Sequence, residues 1–299
     1  MKKILAFAAM LFMASTSFAA LRGTAQNGLS VAATSITVDV SAIGIQDGDV
    51  LICTVEVGGT GTATFTWPSG FAVPSGLSTI NLAYIAGANT LGIAYWVVSG
   101  TVPTSVTITS SQSDRLAAQC RDYSGRNTTS PFTAVAQTGS TTLSATSPAT
   151  FAMTGLTAVT GDDIVIMAGF NNGKTGSAYT YTFSGPSGYA NAITEFAGTQ
   201  YDEILGSADQ VNAAGGATGT INSTITASVS VPPSAGGYVL AVAPAAAGSC
   251  TNSGITSAGS ISIPVASSTV VQLKSGALGT VDCATVNYKQ SLLGNFGVN

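Results

Sequence analysis

The chain has 299 residues, of which only 7% are charged, with nine basic and thirteen acidic side chains and no histidine. An acidic chain without a basic cluster is a poor partner for nucleic acid, because phosphate contacts need Lys and Arg. The lack of histidine removes Ser–His and Cys–His catalysis and zinc sites of the Cys/His type, and solubility has to come from Thr, Ser, Asn and Gly.

In chain order, Lys2 and Lys3 precede an apolar run, Ile4 to Ala14, and the small residues Ser17 and Ala19 follow it. That order reads as a secretory signal (residues 1–19), too short to span a bilayer, with cleavage expected after Ala19. No later run is long and apolar enough for a spanning helix, so a secreted or extracellular product with no transmembrane anchor is expected: cell surface, periplasm or virion. Beyond the leader, short β-type segments recur between Gly, Ser, Pro and Asn clusters, the spacing of an antiparallel sandwich or barrel. Period-2 alternation marks Ser35–Val40, Ala63–Trp67, Ser105–Thr109 and Thr224–Val231 as half-buried strands. Val50–Cys53 and Ile164–Met167 are continuous apolar runs, as expected of strands covered on both faces.

Two motifs occur twice in the same order. Gly48-Asp49-Val50-Leu51-Ile52 is echoed by Gly161-Asp162-Asp163-Ile164-Val165-Ile166, and Trp67-Pro68-Ser69-Gly70-Phe71-Ala72 by Gly185-Pro186-Ser187-Gly188-Tyr189-Ala190. Both are turn chemistry at strand ends, and a period of this length suits a duplicated sandwich rather than a solenoid. The expected fold is therefore all-β: an antiparallel two-sheet sandwich, jelly-roll or lectin-like, built by duplication of halves 28–128 and 129–244. A small β-rich module, 250–299, follows. With Leu91–Val98, Ser105–Thr109 and Asp122-Tyr123-Ser124-Gly125, the first copies of these motifs resemble duplicated β-sandwich proteins found among bacteriophage virion and tail proteins and prophage-related exported bacterial proteins. That resemblance implies a structural or adhesive role in assembly or attachment.

Four cysteines in an exported chain fit two disulfides. Cys53 with Cys120 and Cys250 with Cys283 are the pairings that stay within one expected module, although four cysteines permit three arrangements.

Candidate chemistry is sparse. Asp47, Asp49, Asp162 and Asp163 place oxygen ligands at matching turns and are candidate calcium ligands, with turn initiation as the plainer account. Tyr179, Tyr181 and Phe183 alternate and, with Tyr189, form a candidate surface for stacking on sugar rings if exposed, and simply core if buried. Glu195, Asp202 and Glu203 are the only clustered carboxylates for glycan cleavage, but no apolar pocket around them would raise an acid's pKa. Asp114, Arg115, Arg121, Asp122 and Arg126 crowd one strand, where Arg115, Gln119, Arg121 and Tyr123 share a face expected to be an exposed polar strip. No cofactor other than calcium is expected. The resulting expectation is a non-enzymatic structural or adhesive protein whose partners are itself, other surface or virion proteins, or cell-surface glycans. A carbohydrate-binding module is the alternative, and a glycan-cleaving enzyme a weaker one.

Overall fold

The computed structural model describes residues 20–245, except 60, 85–86, 172–179, 198–202, 212, 229–231 and 233, together with Gly248–Ser249 and Asp282–Cys283. Among these residues there is no α-helix, and none long and apolar enough to cross a membrane. The first half holds β1 (Ala20–Asp39), β2 (Val50–Val57), β3 (Phe65–Thr66), β4 (Ile80–Tyr84), β5 (Gly87–Val97) and β6 (Ser105–Ser124). The second holds β7 (Phe132–Thr142), β8 (Ala149–Met153), β9 (Thr157–Ala158), β10 (Asp163–Asn171), β11 (Tyr181–Ser184), β12 (Ala190–Phe196), β13 (Glu203–Gln210), β14 (Gly216–Ala217), β15 (Ile221–Ala227) and β16 (Ser234–Val242). As a separate unit, β17 (Gly248–Ser249) pairs antiparallel with β18 (Asp282–Cys283). The rest of the expected module 250–299, and the side chains of its cysteine pair, lie outside the described residues.

The second half is a complete two-sheet sandwich. One sheet runs β12-β13-β10-β16-β7 and the other β11-β15-β8. With its eight principal strands numbered in order, the sheets read 5-6-3-8-1 and 4-7-2. This is jelly-roll connectivity with the fifth strand joined to the sixth. The first half repeats it, β4-β5-β2-β6-β1, with β3 beside β6. Here two long strands each serve both layers. The pairing of β1 with β6 shifts register between Leu29 and Ser35, and the bulge folds Ser35–Asp39 and Ser105–Thr109 over the larger sheet. The result is one core in which Ile36, Val38, Val106 and Ile108 meet Leu51, Cys53, Val55, Leu116 and Cys120. The first sandwich includes residues ahead of the expected boundary at 28, because Ala20 to Leu29 form the outer strand against the end of β6.

The repeated motifs hold equivalent places. Gly48 (φ 86°) and Gly161 (φ 92°) supply the positive φ that a type II turn needs before β2 and β10. In each turn the following Asp donates its amide to the residue three before it, Asp49 to Gln46 at 3.2 Å and Asp162 to Val159 at 3.0 Å. The Asp carboxylate then accepts the amide of that same residue, at 2.7 Å in both copies. The Pro-Ser-Gly turns close identically, Phe71 onto Pro68 and Tyr189 onto Pro186. Further along, Gly92 and Gly206 occupy the same strand position, and a Cβ there would lie 2.5 Å from Phe65 or 2.3 Å from Phe183. In each core one aromatic ring sits directly on a glycine backbone.

The two larger sheets pack back to back. Val50, Ile52, Leu82, Leu91 and Ile93 form a third core with Val165, Met167, Leu205, Tyr238 and Leu240. Every residue of β2, β10 and β16 is buried, which explains their continuous apolar runs. Contacts across this interface are reciprocal: β4 meets β7 and β16, while its counterpart β12 meets β1 and β6. Gln119 Nε2 donates to Leu205 O at 3.1 Å, and at the counterpart positions Tyr238 OH lies 2.9 Å from Leu91 O. The halves are thus two sandwiches related by an internal pseudo-two-fold, a dimer-like interface within one chain.

Candidate functional site

Few charged side chains are described, and most point inward. The described residues include four arginines and no lysine, and all four arginines are ion-paired: Arg22, Arg115, Arg121 and Arg126. Arg121 is fully buried in the interface between the sandwiches. It donates to Tyr123 OH (3.0 Å), Asn191 O (3.1 Å), Ser207 Oγ (3.0 Å) and Asp209 Oδ1 (2.7 Å). The face holding Gln119, Arg121 and Tyr123 is therefore not the exposed strip its polarity suggests, because the second sandwich covers it. Arg126, in the linker, pairs with Asp163 and donates to Val242 O at 3.1 Å. Burial pushes the Tyr123 and Tyr238 hydroxyls well above the usual tyrosine range, so both stay protonated.

The candidate calcium ligands are engaged otherwise. Asp47 accepts the amide of Gly100 at 2.9 Å, and Asp49 binds Arg22 through both oxygens, at 2.7 and 3.1 Å. Asp162 accepts from Thr133 and Val159, while Asp163, next in the chain, pairs with Arg126. No three metal-ligating side chains gather among the described residues. The calcium expectation is corrected accordingly: these carboxylates close turns and hold arginines.

The aromatic expectation is corrected as well. Tyr181 and Phe183 point into the second core, with Phe183 6.0 Å from the Phe170 ring and Tyr181 edge-on to Phe196. Tyr189 is half-buried against the same core, and burial pushes its hydroxyl up to about 12. Tyr179 lies outside the described residues. What sequence reading missed is a stack in the first sandwich. Trp67 and Phe71 lie nearly parallel, 5.9 Å apart, and Trp96 follows 6.0 Å from Phe71, all three half-buried. Gly70 makes room for it, since a Cβ there would meet the Trp96 indole at 2.6 Å. The counterpart positions are Gly185, Tyr189 and Gln210, so the stack belongs to the first sandwich alone. The signal was readable: the second copy of the motif has lost its Trp.

The carboxylates considered for catalysis do not converge on a cleft. Glu195 lies on β12, half-buried, and desolvation raises its pKa above the usual range, although nothing in the sequence around it pointed to such a shift. Its Oε1 approaches Gly28 of β1, and Glu203, fully buried, approaches Gly58. Both face the first sandwich. Asp202 lies outside the described residues. Two surface hollows among the described residues, of about 330 and 460 Å³, are lined mainly by Gly, Ala and Thr at one end of the second sandwich and include neither glutamate.

The outer faces of the smaller sheets are uncharged except for Asp39. Ser35, Thr37, Thr66, Ser105, Thr107 and Thr109 form one, with Thr37 and Thr107 hydroxyls 2.9 Å apart. Thr150, Thr182, Ser184, Asn222 and Thr226 form the other. Compared with protein-family models, curated proteins and solved structures, the chain matches none.

Proposed function

We propose that this is an exported, non-enzymatic structural or adhesive protein that presents its outer sheet faces for self-assembly or attachment to a cell envelope, as virion-associated sandwiches do. The observation that carries this reading is where the charge goes. Every described arginine is ion-paired, while the flat outer faces carry Thr and Ser. Edge strands that must not pair carry Lys or other charges, and by analogy faces with almost no charge, as these are, leave association open. A disulfide inside the first core supports an oxidising destination. Sedimentation of the mature protein, alone and with cell envelopes, tests the proposal. Larger species or envelope binding is expected, and Thr37→Lys with Thr107→Lys should weaken it by at least tenfold.

A second reading, a carbohydrate-binding module, rests on the Trp67–Phe71–Trp96 stack, since flat apolar rings match the C–H faces of sugars. Titration with envelope polysaccharides should then quench tryptophan fluorescence, and Trp67→Ala should abolish the response. No quenching at millimolar saccharide would discard this reading and leave the structural one standing.

A further inference from the structure

One end of the second sandwich differs from its copy in two ways. In the first sandwich Phe71 lies between two indoles, 5.9 Å from Trp67 and 6.0 Å from Trp96. The second copy has Gly185 in place of Trp67 and Gln210 in place of Trp96, while Tyr189 keeps a ring where Phe71 stands. Three rings are thus reduced to one, and a hollow of about 330 Å³ opens beside it, lined by Pro186, Ser187, Tyr189, Gln210 and residues 213–218 among others. The second difference is a wall. Residues 213–218 include β14, which pairs with β9, Gly216 opposite Ala158 and Ala217 opposite Thr157. The first sandwich has no such pair between β5 and β6 among the described residues. The wall is tied down by Ala213 N to Asp162 O at 2.7 Å, Thr160 Oγ1 to Ala214 O at 3.0 Å and Thr218 N to Leu156 O at 2.8 Å. A surface fixed in this way loses little freedom when something binds to it.

We propose that this hollow binds one neutral pyranose unit of a glycan, with Tyr189 under the C–H face of the sugar and Gln210 and Ser187 bonding its hydroxyls. No charged side chain lines the hollow, so an anion or a metal ion finds no counter-charge there. Its volume is at the lower end of the roughly 300–1,000 Å³ of small-molecule sites, room for a ring rather than for a folded partner. The flat shape follows from the copy, where the same place is filled by an indole on an aromatic ring. A pyranose has an apolar face to lay on Tyr189, and its hydroxyls suit the amide that stands where the first sandwich has an indole. Val159 and Val211, both exposed, directly follow Ala158 and Gln210 in the chain and add apolar surface beside the hollow. The second hollow, of about 460 Å³, shares Ala217 and Thr220 with the first, which leaves a place for the next unit of a chain. In taking an envelope glycan as the ligand, the proposal rests on the attachment reading and names what is held. It is separate from the Trp67–Phe71–Trp96 stack of the other sandwich.

Saturation-transfer NMR of the intact oxidised protein with glucose, galactose, mannose and N-acetylglucosamine, and with short oligomers of each, tests this. At least one should bind saturably at millimolar concentration. Gln210→Trp, which restores the first sandwich's filling, and Tyr189→Ala should each weaken that binding by at least about tenfold, and Trp67→Ala should leave it unchanged. Because Tyr189→Ala also removes packing from the second core, Gln210→Trp is the deciding variant. Amide shifts of the wild type give a readout that needs no variant: the bound saccharide should move the signals of residues 213–218. No saturable binding by any of these sugars, binding that survives Gln210→Trp or is lost in Trp67→Ala, or shifts that spare residues 213–218 would overturn the proposal. If the sugars fail while the protein still co-sediments with envelopes, this site falls and the attachment reading stands.

Discussion

Arg121 shows how a single side chain joins the two halves. It sits with Asp209 in complete burial, and Tyr123, Asn191 and Ser207 accept its other donors. A buried ion pair adds little over well-packed apolar residues, but removing one partner strands the other charge. Arg121→Ala should therefore destabilise by about 3–5 kcal/mol, while Arg121→Met combined with Asp209→Leu should cost much less. Urea unfolding of the three proteins measures both, and equal losses in single and double variants would contradict this account. Sequence could not foresee the arrangement. Alternation along Leu116–Tyr123 correctly separates a polar from an apolar face, but polarity ordinarily means solvent, and only the second sheet turns this face inward. Its counterpart in the second half, around Tyr238–Val242, is apolar, and that mismatch was the available hint.

At the scale of strands, the duplicated halves solve one position in two ways. Cys53 and Cys120 face each other across β2 and β6, Cα atoms 4.1 Å apart, and are joined in a disulfide, the pairing expected from their place within one module. The counterparts on β10 and β16 are Ile166 and Val239, also directly paired. Replacing both cysteines by Ala should cost about 2–5 kcal/mol, the effect of freeing a loop of this size plus lost packing. Cys53→Ile with Cys120→Val, borrowing the second sandwich's solution, should recover the packing share only. Denaturant midpoints of the two double variants under oxidising conditions check the order. The strands themselves were legible because turn glycines and period-2 alternation are local signals. The bend of β1 and β6 between layers was not, since it depends on a register shift between partners distant in sequence, from Leu29 opposite Leu116 to Ser35 opposite Thr109.

For the whole molecule, the repeat in the sequence was enough to foresee a duplicated sandwich, and two complete jelly rolls stand where it pointed. How the copies pack was hidden, because Val50 and Ile52 look the same whether a helix, a loop or a second sheet covers them. The candidate sites fared worse for a related reason. Tyr181, Phe183 and the turn aspartates were chosen by residue type, and residue type does not tell a binding group from a core ring or a turn cap. Among the described residues, much of the charge instead lies in the ion pairs Arg121–Asp209, Arg126–Asp163 and Arg22–Asp49. The most direct test of the structural role is therefore sedimentation velocity of the oxidised mature protein across a hundredfold concentration range, with and without cell envelopes. The account predicts mass above the monomer or co-sedimentation with envelopes, unchanged by Glu195→Gln or Glu203→Gln. A monomer at every concentration that leaves envelopes unbound would contradict it.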